Sequence, residues 1–365
     1  MTFLLDKYKE HALASNHSNE FISETIQYAN FLSSKNLPVL FSLPHLCLAS
    51  AVSIKNTLEI CNSSRIEYYK RFKIKKRRGG YRTIQTPTNE LKYLQKWILR
   101  NILEKFPSHK SCTGFDKLSS IKKNAEIHLN AECILKIDLL RFFDSINERR
   151  IYGIFKSFGY QNNLCVSLAK ICTVKQNETF YNTFKKNEDN LKQYLLSKDE
   201  GILPQGAPTS PKLANLILRN LDKRLERLCS KYNVNYSRYA DDLTFSGKKE
   251  NLLYLKKIIY KIIYSENLFV NIGKTKFIVR GNPYLVTGLS VHNEEVKVIR
   301  RKKKEIEHHL YHCIKNGVIL HLIKSNIGNR NFKDWLFGNI CFVYSIEPKV
   351  GQNYFNDFNK IEWPL

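Results

Sequence analysis

Two adjacent aspartates, Asp241 and Asp242, sit inside the stretch YSRYADDLTFS, flanked on both sides by apolar and aromatic residues. Neighbouring carboxylates repel, and burying either one unpaired costs several kcal/mol or shifts its pKa instead. Two readings follow. An exposed β-turn would leave both carboxylates in water. Alternatively a divalent cation balances them, since hard cations such as Mg²⁺ take oxygen ligands. The second reading needs a third carboxylate from elsewhere in the chain and an anionic substrate to share the metal.

A third carboxylate is available in AECILKIDLLRFFDSI, residues 131–146. The stretch begins as an alternating strand, with Cys133, Leu135 and Ile137 facing one way and Ile134, Lys136 and Asp138 the other. Asp138 falls near the strand's end, where a carboxylate can project into a cleft. Ser145-Ile-Asn-Glu148 fits a capping box opening the next helix, which makes Asp144 a helix-start residue and a weaker ligand candidate.

The anionic partner is written in the charge. The 365 residues carry 59 Lys and Arg against 33 Asp and Glu, a net +26, which calls for nucleic acid or an anionic membrane surface. The membrane option is the weaker one. The longest uncharged stretch, Leu37 to Ile54, contains Pro38, Pro44, His45 and three serines and reads as short packed helices. The N-terminus MTFLLDKYKEH has charges where a signal peptide needs its apolar core. Nine cysteines without a C-x-x-C pair read as reduced packing residues of a cytoplasmic protein, with neither a zinc site nor a disulfide framework.

The elements that must position these groups follow from periodicity and punctuation. Residues 1–68 read as helical. Eight of the 13 residues from Lys70 to Arg82 are basic, and Gly79-Gly80 makes this a β-hairpin able to grip phosphates, or else a solvated charge run. Glu90 to Phe106 is an amphipathic helix ended by Pro107. The stretch Lys175 to Glu200 is an insertion loop or a helical excursion. GILPQGAPTSPKLANL is an irregular loop whose backbone can approach a flat ligand, followed by a helix capped by Thr209 or Ser210. Its apolar stripe, Leu213, Leu216, Ile217, Leu221, Leu225 and Leu228, is core. The aspartate pair sits at the tip of a hairpin, and Lys274 follows near another strand. Leu285 to Ile299 reads as a second hairpin turning around Asn293, and Arg300 opens a basic helix stopped by Gly317.

In order, KIDLLRFFDSI, LPQGAPTSPKLANL, RYADDLTFS, NIGKTK and VTGL resemble the motif series of reverse transcriptases from about residue 38 onward. The element Asn124-Ala125-Glu126-Ile127-His128 and the triplet Val286-Thr287-Gly288 together resemble bacterial retron reverse transcriptases. The resemblance implies an α+β right-hand polymerase with fingers, a palm of antiparallel sheet plus helices, and a helical thumb. It implies an N-terminal helical region at 1–68, fingers at 69–130, palm at 131–284, and a primer-grip hairpin with basic thumb at 285–365.

It also implies roles. Asp138 and Asp241, with Asp242 beside them, hold two Mg²⁺ ions. Arg82, with Lys75 or Lys76, holds the triphosphate of the incoming deoxynucleotide. Gln205 and Gly206 line its pocket, and Phe143 gates its sugar while Phe142 is core. Lys274 protonates pyrophosphate or is an exposed structural lysine. Asn124 and His128 bind RNA or form a satisfied pair that positions the fingers. Val286, Thr287, Gly288 and the run Arg300, Arg301, Lys302, Lys303 and Lys304 recognise RNA. The implied biology is copying of the enzyme's own structured noncoding RNA from a guanosine 2′-hydroxyl, giving branched RNA-linked DNA (msDNA). Such systems act in antiphage defence with an effector protein encoded nearby. Little chain follows FNKIEW to hold an RNase H, maturase or endonuclease domain. Two alternatives stand beside this: a diversity-generating or abortive-infection reverse transcriptase, and an RNA-binding scaffold that holds an effector silent.

Overall fold

The computed structural model describes residues 5–75, 79–117, 119–279, 281–291, 294–326, 328 and 331–364. Lys76 and Asn293, singled out above, lie outside the described residues. The chain opens with α1 (Leu5–Ala14), α2 (Asn19–Ser34), α3 (Leu43–Ser50) and α4 (Ile54–Asn62). Serines stop the chain from running on as coil before three of them. Ser18, Ser42 and Ser53 each accept a backbone N–H of the helix they cap.

The basic stretch forms the expected hairpin, β1 (Tyr69–Lys75) against β2 (Tyr81–Pro87), with Lys75 opposite Tyr81. Then follow α5 (Asn89–Asn101), the short α6 (Ile121–Glu126) and β3 (Cys133–Asp138). A helical pair, α7 (Glu148–Phe158) and α8 (Asn162–Ile171), leads into α9 (Glu178–Tyr181) and α10 (Asp189–Lys198), so the stretch before LPQG is a helical excursion. Helix α7 is capped by Asn147, whose side chain accepts from Arg150 N, and the capping box expected at Ser145 does not form. Ser145 instead donates to Phe142 O, and Glu148 is drawn into an ion pair with buried Arg65.

Helices α11 (Ser210–Ile217) and α12 (Arg219–Ser230) carry the expected apolar stripe; Thr209 takes the cap position without a side-chain bond. The hairpin β4 (Asn235–Tyr239) and β5 (Asp242–Gly247) is followed by α13 (Lys249–Ser265) and β6 (Lys276–Val279). These strands and β3 form one antiparallel sheet in the order β4-β5-β3-β6. The C-terminal part holds a small sheet, β7 (Leu285–Val286), β8 (Leu289–Ser290) and β9 (Lys297–Val298). It continues into α14 (Arg300–Asn316), α15 (Val318–Lys324), α16 (Phe332–Ile346) and α17 (Pro348–Phe358).

Alternation in β3 decides how two cores meet. Cys133, Leu135 and Ile137 enter the core shared by the N-terminal helices, the sheet and α11–α13, while Ile134 enters the core beneath α14–α17. The helices of residues 1–68 therefore share their core with the sheet. This is the α+β right-hand polymerase fold. Among the described residues no helix is long and apolar enough to cross a membrane.

Candidate active site

The aspartate pair occupies the place expected of it. Tyr239 pairs with Asp242 across β4–β5, which leaves Ala240 and Asp241 as a two-residue turn. Ala240 has φ +57 and Asp241 is not in the left-handed region, the sign pattern of a II′ turn, where glycine is the usual first residue. Asp138 ends β3 directly opposite Asp242, so both side chains leave the same face of the sheet. Leu139 N donates to Asp241 O at 3.0 Å and ties the turn to β3. All three carboxylates thus meet at one end of the sheet.

A strained alanine in this turn needs support, and it comes from Arg238, a fully buried arginine that sequence reasoning passed over. Its Nε and Nη2 donate to the two oxygens of buried Asp222 at 2.8 and 2.7 Å. Its Nη1 donates to Ala240 O at 3.1 Å and Asn215 Oδ1 at 3.2 Å. The Tyr236 hydroxyl donates to Asp222 Oδ1 at 2.8 Å. The signal was present in the sequence: Arg238 alternates onto the same face as Tyr236, and Asp222 interrupts an apolar helix stripe.

Electrostatics sets the turn's chemistry. Burial, then the charges of Asp242 and Asp138, push Asp241 up to about 6. Burial also raises Asp242, against the pull of Lys136. Asp138 is held differently. Lys274 Nζ spans its two oxygens at 2.8 and 3.0 Å, and Asn271 Nδ2 donates at 3.1 Å. A cation therefore already sits against Asp138, on a lysine whose side chain is 62% exposed and free to swing away.

An all-oxygen donor set that repels itself suits Mg²⁺. Among the described residues no three ligand side chains are drawn into a ready-made metal cage. Mg²⁺ is commonly held by one or two carboxylates together with substrate phosphates. A pH dependence follows. Asp241 binds a proton more tightly in the folded chain, so its ionisation costs stability as pH rises from the ordinary 3.8 through about 6. Added Mg²⁺ is expected to raise the thermal midpoint at pH 8 and to lose that effect below pH 6. An equal rise at pH 5 would contradict this site.

The nucleotide-pocket candidates are partly assembled. Phe142 is buried in the main core, and Phe143 is half-buried and packs against it. Gln205 O accepts from Gln85 N at 2.8 Å, which joins the LPQG loop to β2. Gly206, at φ +131, comes so close to β2 that a Cβ would lie 2.8 Å from Gln85 O. Its small size is used for packing against the basic hairpin. Lys75 and Arg82 are exposed on that hairpin.

The RNA-contact assignments need correction. Asn124 and His128 are 1% and 0% exposed and cannot touch RNA in this conformation. The His128 ring nitrogens lie 2.7 Å from Ser246 Oγ and Ser237 Oγ. Asn124 Oδ1 accepts from Ser237 and Thr113, each at 2.7 Å. Burial, with Lys136 adding to it, lowers His128 to about 3, so the ring is neutral. Ala125, between them, belongs to the C-terminal core. The N-A-x-x-H element thus fastens α6 to β4 and β5, the satisfied-pair reading.

The triplet Val286-Thr287-Gly288 is likewise mostly structural. Val286 is buried and pairs with Leu289, leaving Thr287 and Gly288 as a turn with φ +47 and +86. Both values are positive, as in a I′ turn. Thr287 Oγ1 donates to Ile121 O at 3.1 Å, which ties this turn to the start of α6, the helix that carries Asn124. The expected single hairpin around Asn293 is instead a three-stranded meander with its tight turn here.

In the basic run, Lys303 pairs with Glu347 at 3.0 Å, and Lys302 lies against Glu305 and the Trp335 ring. Arg300, Arg301 and Lys304 point to solvent.

Fold and carboxylate hairpin together are those of a nucleic-acid polymerase. Residues 74–308 match the family described as reverse transcriptase (RNA-dependent DNA polymerase). The chain is 33% identical over 347 residues to the retron Ec86 reverse transcriptase of Escherichia coli, covering 93% of this chain and 96% of that protein. It is 34% identical over 235 residues to the retron Mx162 reverse transcriptase of Myxococcus xanthus, covering 61% of this chain and 47% of that one. A solved telomerase from Candida albicans is similar at TM-score 0.42 and 14% identity, over 80% of this chain and 56% of that chain, too loosely to carry an argument. The chain belongs to the reverse transcriptase family, among the bacterial retron reverse transcriptases.

Proposed function

We propose that this retron reverse transcriptase copies part of its own structured RNA into msDNA, starting from a guanosine 2′-hydroxyl. The observation that carries the polymerase chemistry is the meeting of Asp138, Asp241 and Asp242 at one end of the sheet. These carboxylates would hold two Mg²⁺ ions. Bound there with the substrate phosphates, the metals would supply charge neutralisation at the reacting phosphate and easier deprotonation of the primer hydroxyl. Lys274, which pairs with Asp138 through an exposed side chain, would be the group that gives a proton to departing pyrophosphate.

On this reading residues 1–68 are an N-terminal helical region, 69–130 the fingers, 131–284 the palm and 285–365 the primer-grip hairpin and thumb. Lys75 and Arg82 hold the triphosphate, Gln205 and Gly206 close the pocket, and Phe143 stands beneath the sugar, where its ring excludes a 2′-hydroxyl. Phe143→Ala is then expected to raise ribonucleotide incorporation relative to deoxynucleotide. Unchanged discrimination in a folded variant would remove Phe143 from this role.

The net charge gives affinity for any nucleic acid but carries no sequence information. Selection then rests on the shape and unpaired bases of a folded RNA. The exposed Arg300, Arg301 and Lys304 are placed to hold it. Replacing these three by alanine is expected to weaken cognate RNA binding and flatten its salt dependence by roughly 2–3 log–log units. Lys303→Ala, which breaks the Glu347 pair, is expected to act on stability instead. A triple variant with an unchanged salt slope would exclude this surface.

The defence role and an effector partner encoded nearby are part of the proposal and rest on the kinship with retron enzymes. The test of retron chemistry is to purify the protein with its flanking locus. Bound nucleic acid is treated with RNase, then with a debranching enzyme. A mobility shift on debranching is expected; DNA with an ordinary start, unmoved by the enzyme, refutes 2′-priming while leaving the polymerase intact.

A further inference from the structure

Between α8 and the LPQG loop the chain makes its excursion through α9 and α10, and the side chain that ties this excursion to the site is Arg141. Arg141 lies in the short loop that joins Asp138 to Phe143, and its φ of +43 is in the left-handed region. Such a conformation is costly for a residue with a long side chain and persists where surrounding contacts over-determine it.

One of those contacts is Asp144 of the same loop, whose Oδ2 lies 3.5 Å from Arg141 Nη1; the others come from the excursion. Arg141 Nε donates to Glu188 Oε2 at 2.9 Å, and Nη2 donates to Thr183 O and Oγ1 at 2.9 and 3.1 Å. The guanidinium stacks on Phe184, 3.8 Å from the ring centroid. Leu140, one residue earlier, packs with Leu191 and Leu195 of α10 in a small core separate from the main one. On the loop side, Arg141 O accepts from Ser145 N at 3.0 Å, so the arginine's backbone closes the turn that carries Phe143.

We propose that residues 177–199 are a brace that sets the nucleotide loop through Arg141, making Arg141 a positioning residue for the incoming deoxynucleotide. This rests on the reading of Phe143 as the sugar gate. With the brace released, Arg141 leaves the left-handed region and the backbone under Phe143 shifts. A shift of about 1 Å costs up to roughly a hundredfold in a positioned reaction. The loss falls on nucleotide binding and sugar choice, because the brace touches the loop and not the basic surfaces that hold RNA.

The experiment uses Glu188→Gln and Phe184→Leu, which alter the brace and leave the loop sequence intact, beside Arg141→Lys. Incorporation of dTTP and UTP is measured on poly(rA) primed with oligo(dT), together with the thermal midpoint. Each brace variant is expected to raise the KM for dTTP by roughly tenfold with kcat within about twofold. The preference for dTTP over UTP falls by a similar factor, and template–primer affinity stays unchanged. Arg141→Lys combined with Glu188→Gln is expected to be no worse than Arg141→Lys alone, since both break one contact.

Wild-type KM and selectivity in both folded brace variants overturn the proposal. So does a fall in kcat that merely tracks a lowered thermal midpoint. If Arg141→Lys does not fold, the two brace variants decide alone. Phe143→Ala is run in parallel. Selectivity lost there but kept in the brace variants sinks the brace and leaves the gate; selectivity kept in Phe143→Ala sinks the gate, and KM alone then judges the brace.

Discussion

Asp241→Asn and Asp138→Asn are each expected to lower DNA synthesis on an RNA template by at least about 10³-fold, since metal stabilisation of phosphoryl charge is worth several kcal/mol. RNA binding should stay within a few fold, because the basic surfaces lie on other elements. Asp241→Asn carries a second signature that an ordinary loss of function lacks. Asp241 is pushed up to about 6 by burial and by the charges of Asp242 and Asp138, so its ionised form opposes folding at neutral pH. Without Mg²⁺ the variant should therefore melt higher than wild type at pH 8, and the advantage should shrink as pH falls from about 6 and vanish only near 3.8. Asp138→Asn should show no such gain, because it abandons the Lys274 ammonium. Primer extension and thermal melting with and without Mg²⁺ read both effects; comparable melting of the two variants contradicts the assignment.

The largest stability effect is expected at the buried pair beneath the turn. Both side chains of Arg238 and Asp222 are fully buried. Removing one charge strands the other, which costs about 3–5 kcal/mol, while replacing both with apolar groups is often neutral. Asp222→Asn or Arg238→Met should thus lose a large part of the 5–15 kcal/mol typical of a folded domain. Arg238→Met with Asp222→Leu should recover much of it. Activity should not follow, because Ala240 O loses its donor and the strained turn loses its support. A double variant with stability and kcat both restored would show that Arg238 does nothing for the turn. Denaturant melts paired with single-nucleotide incorporation separate these outcomes.

Local chemistry made much of this legible. The alternation in CILKID places Asp138 at a strand end, and glycines turn the basic hairpin at Gly79-Gly80. The tyrosine and phenylalanine around the aspartates give the strands that carry them. Interactions between distant segments were less readable. Nothing near His128 announces that Ser237 and Ser246 will meet its two nitrogens, so a buried polar knot looked like a surface motif. The same holds for Lys303, whose partner Glu347 lies 44 residues further on, at the junction of α16 and α17. Val286-Thr287-Gly288 misled for a local reason: a β-branched residue at φ +47 is rare, so Thr287 did not read as a turn residue. Arg238 was overlooked despite its signal, since an arginine between Ser237 and Tyr239 reads as an edge residue until Asp222 of the distant α12 is placed beside it.

We propose that the carboxylate hairpin at the end of the sheet copies the RNA this protein carries. The most direct test is to sequence the nucleic acid that copurifies with wild type and with Asp241→Asn, each expressed with its native flanking locus. Wild type should carry one structured RNA and a DNA complementary to part of it, and the variant the same RNA with no DNA. DNA of the same sequence on Asp241→Asn, or DNA unrelated to the bound RNA on wild type, would contradict the account.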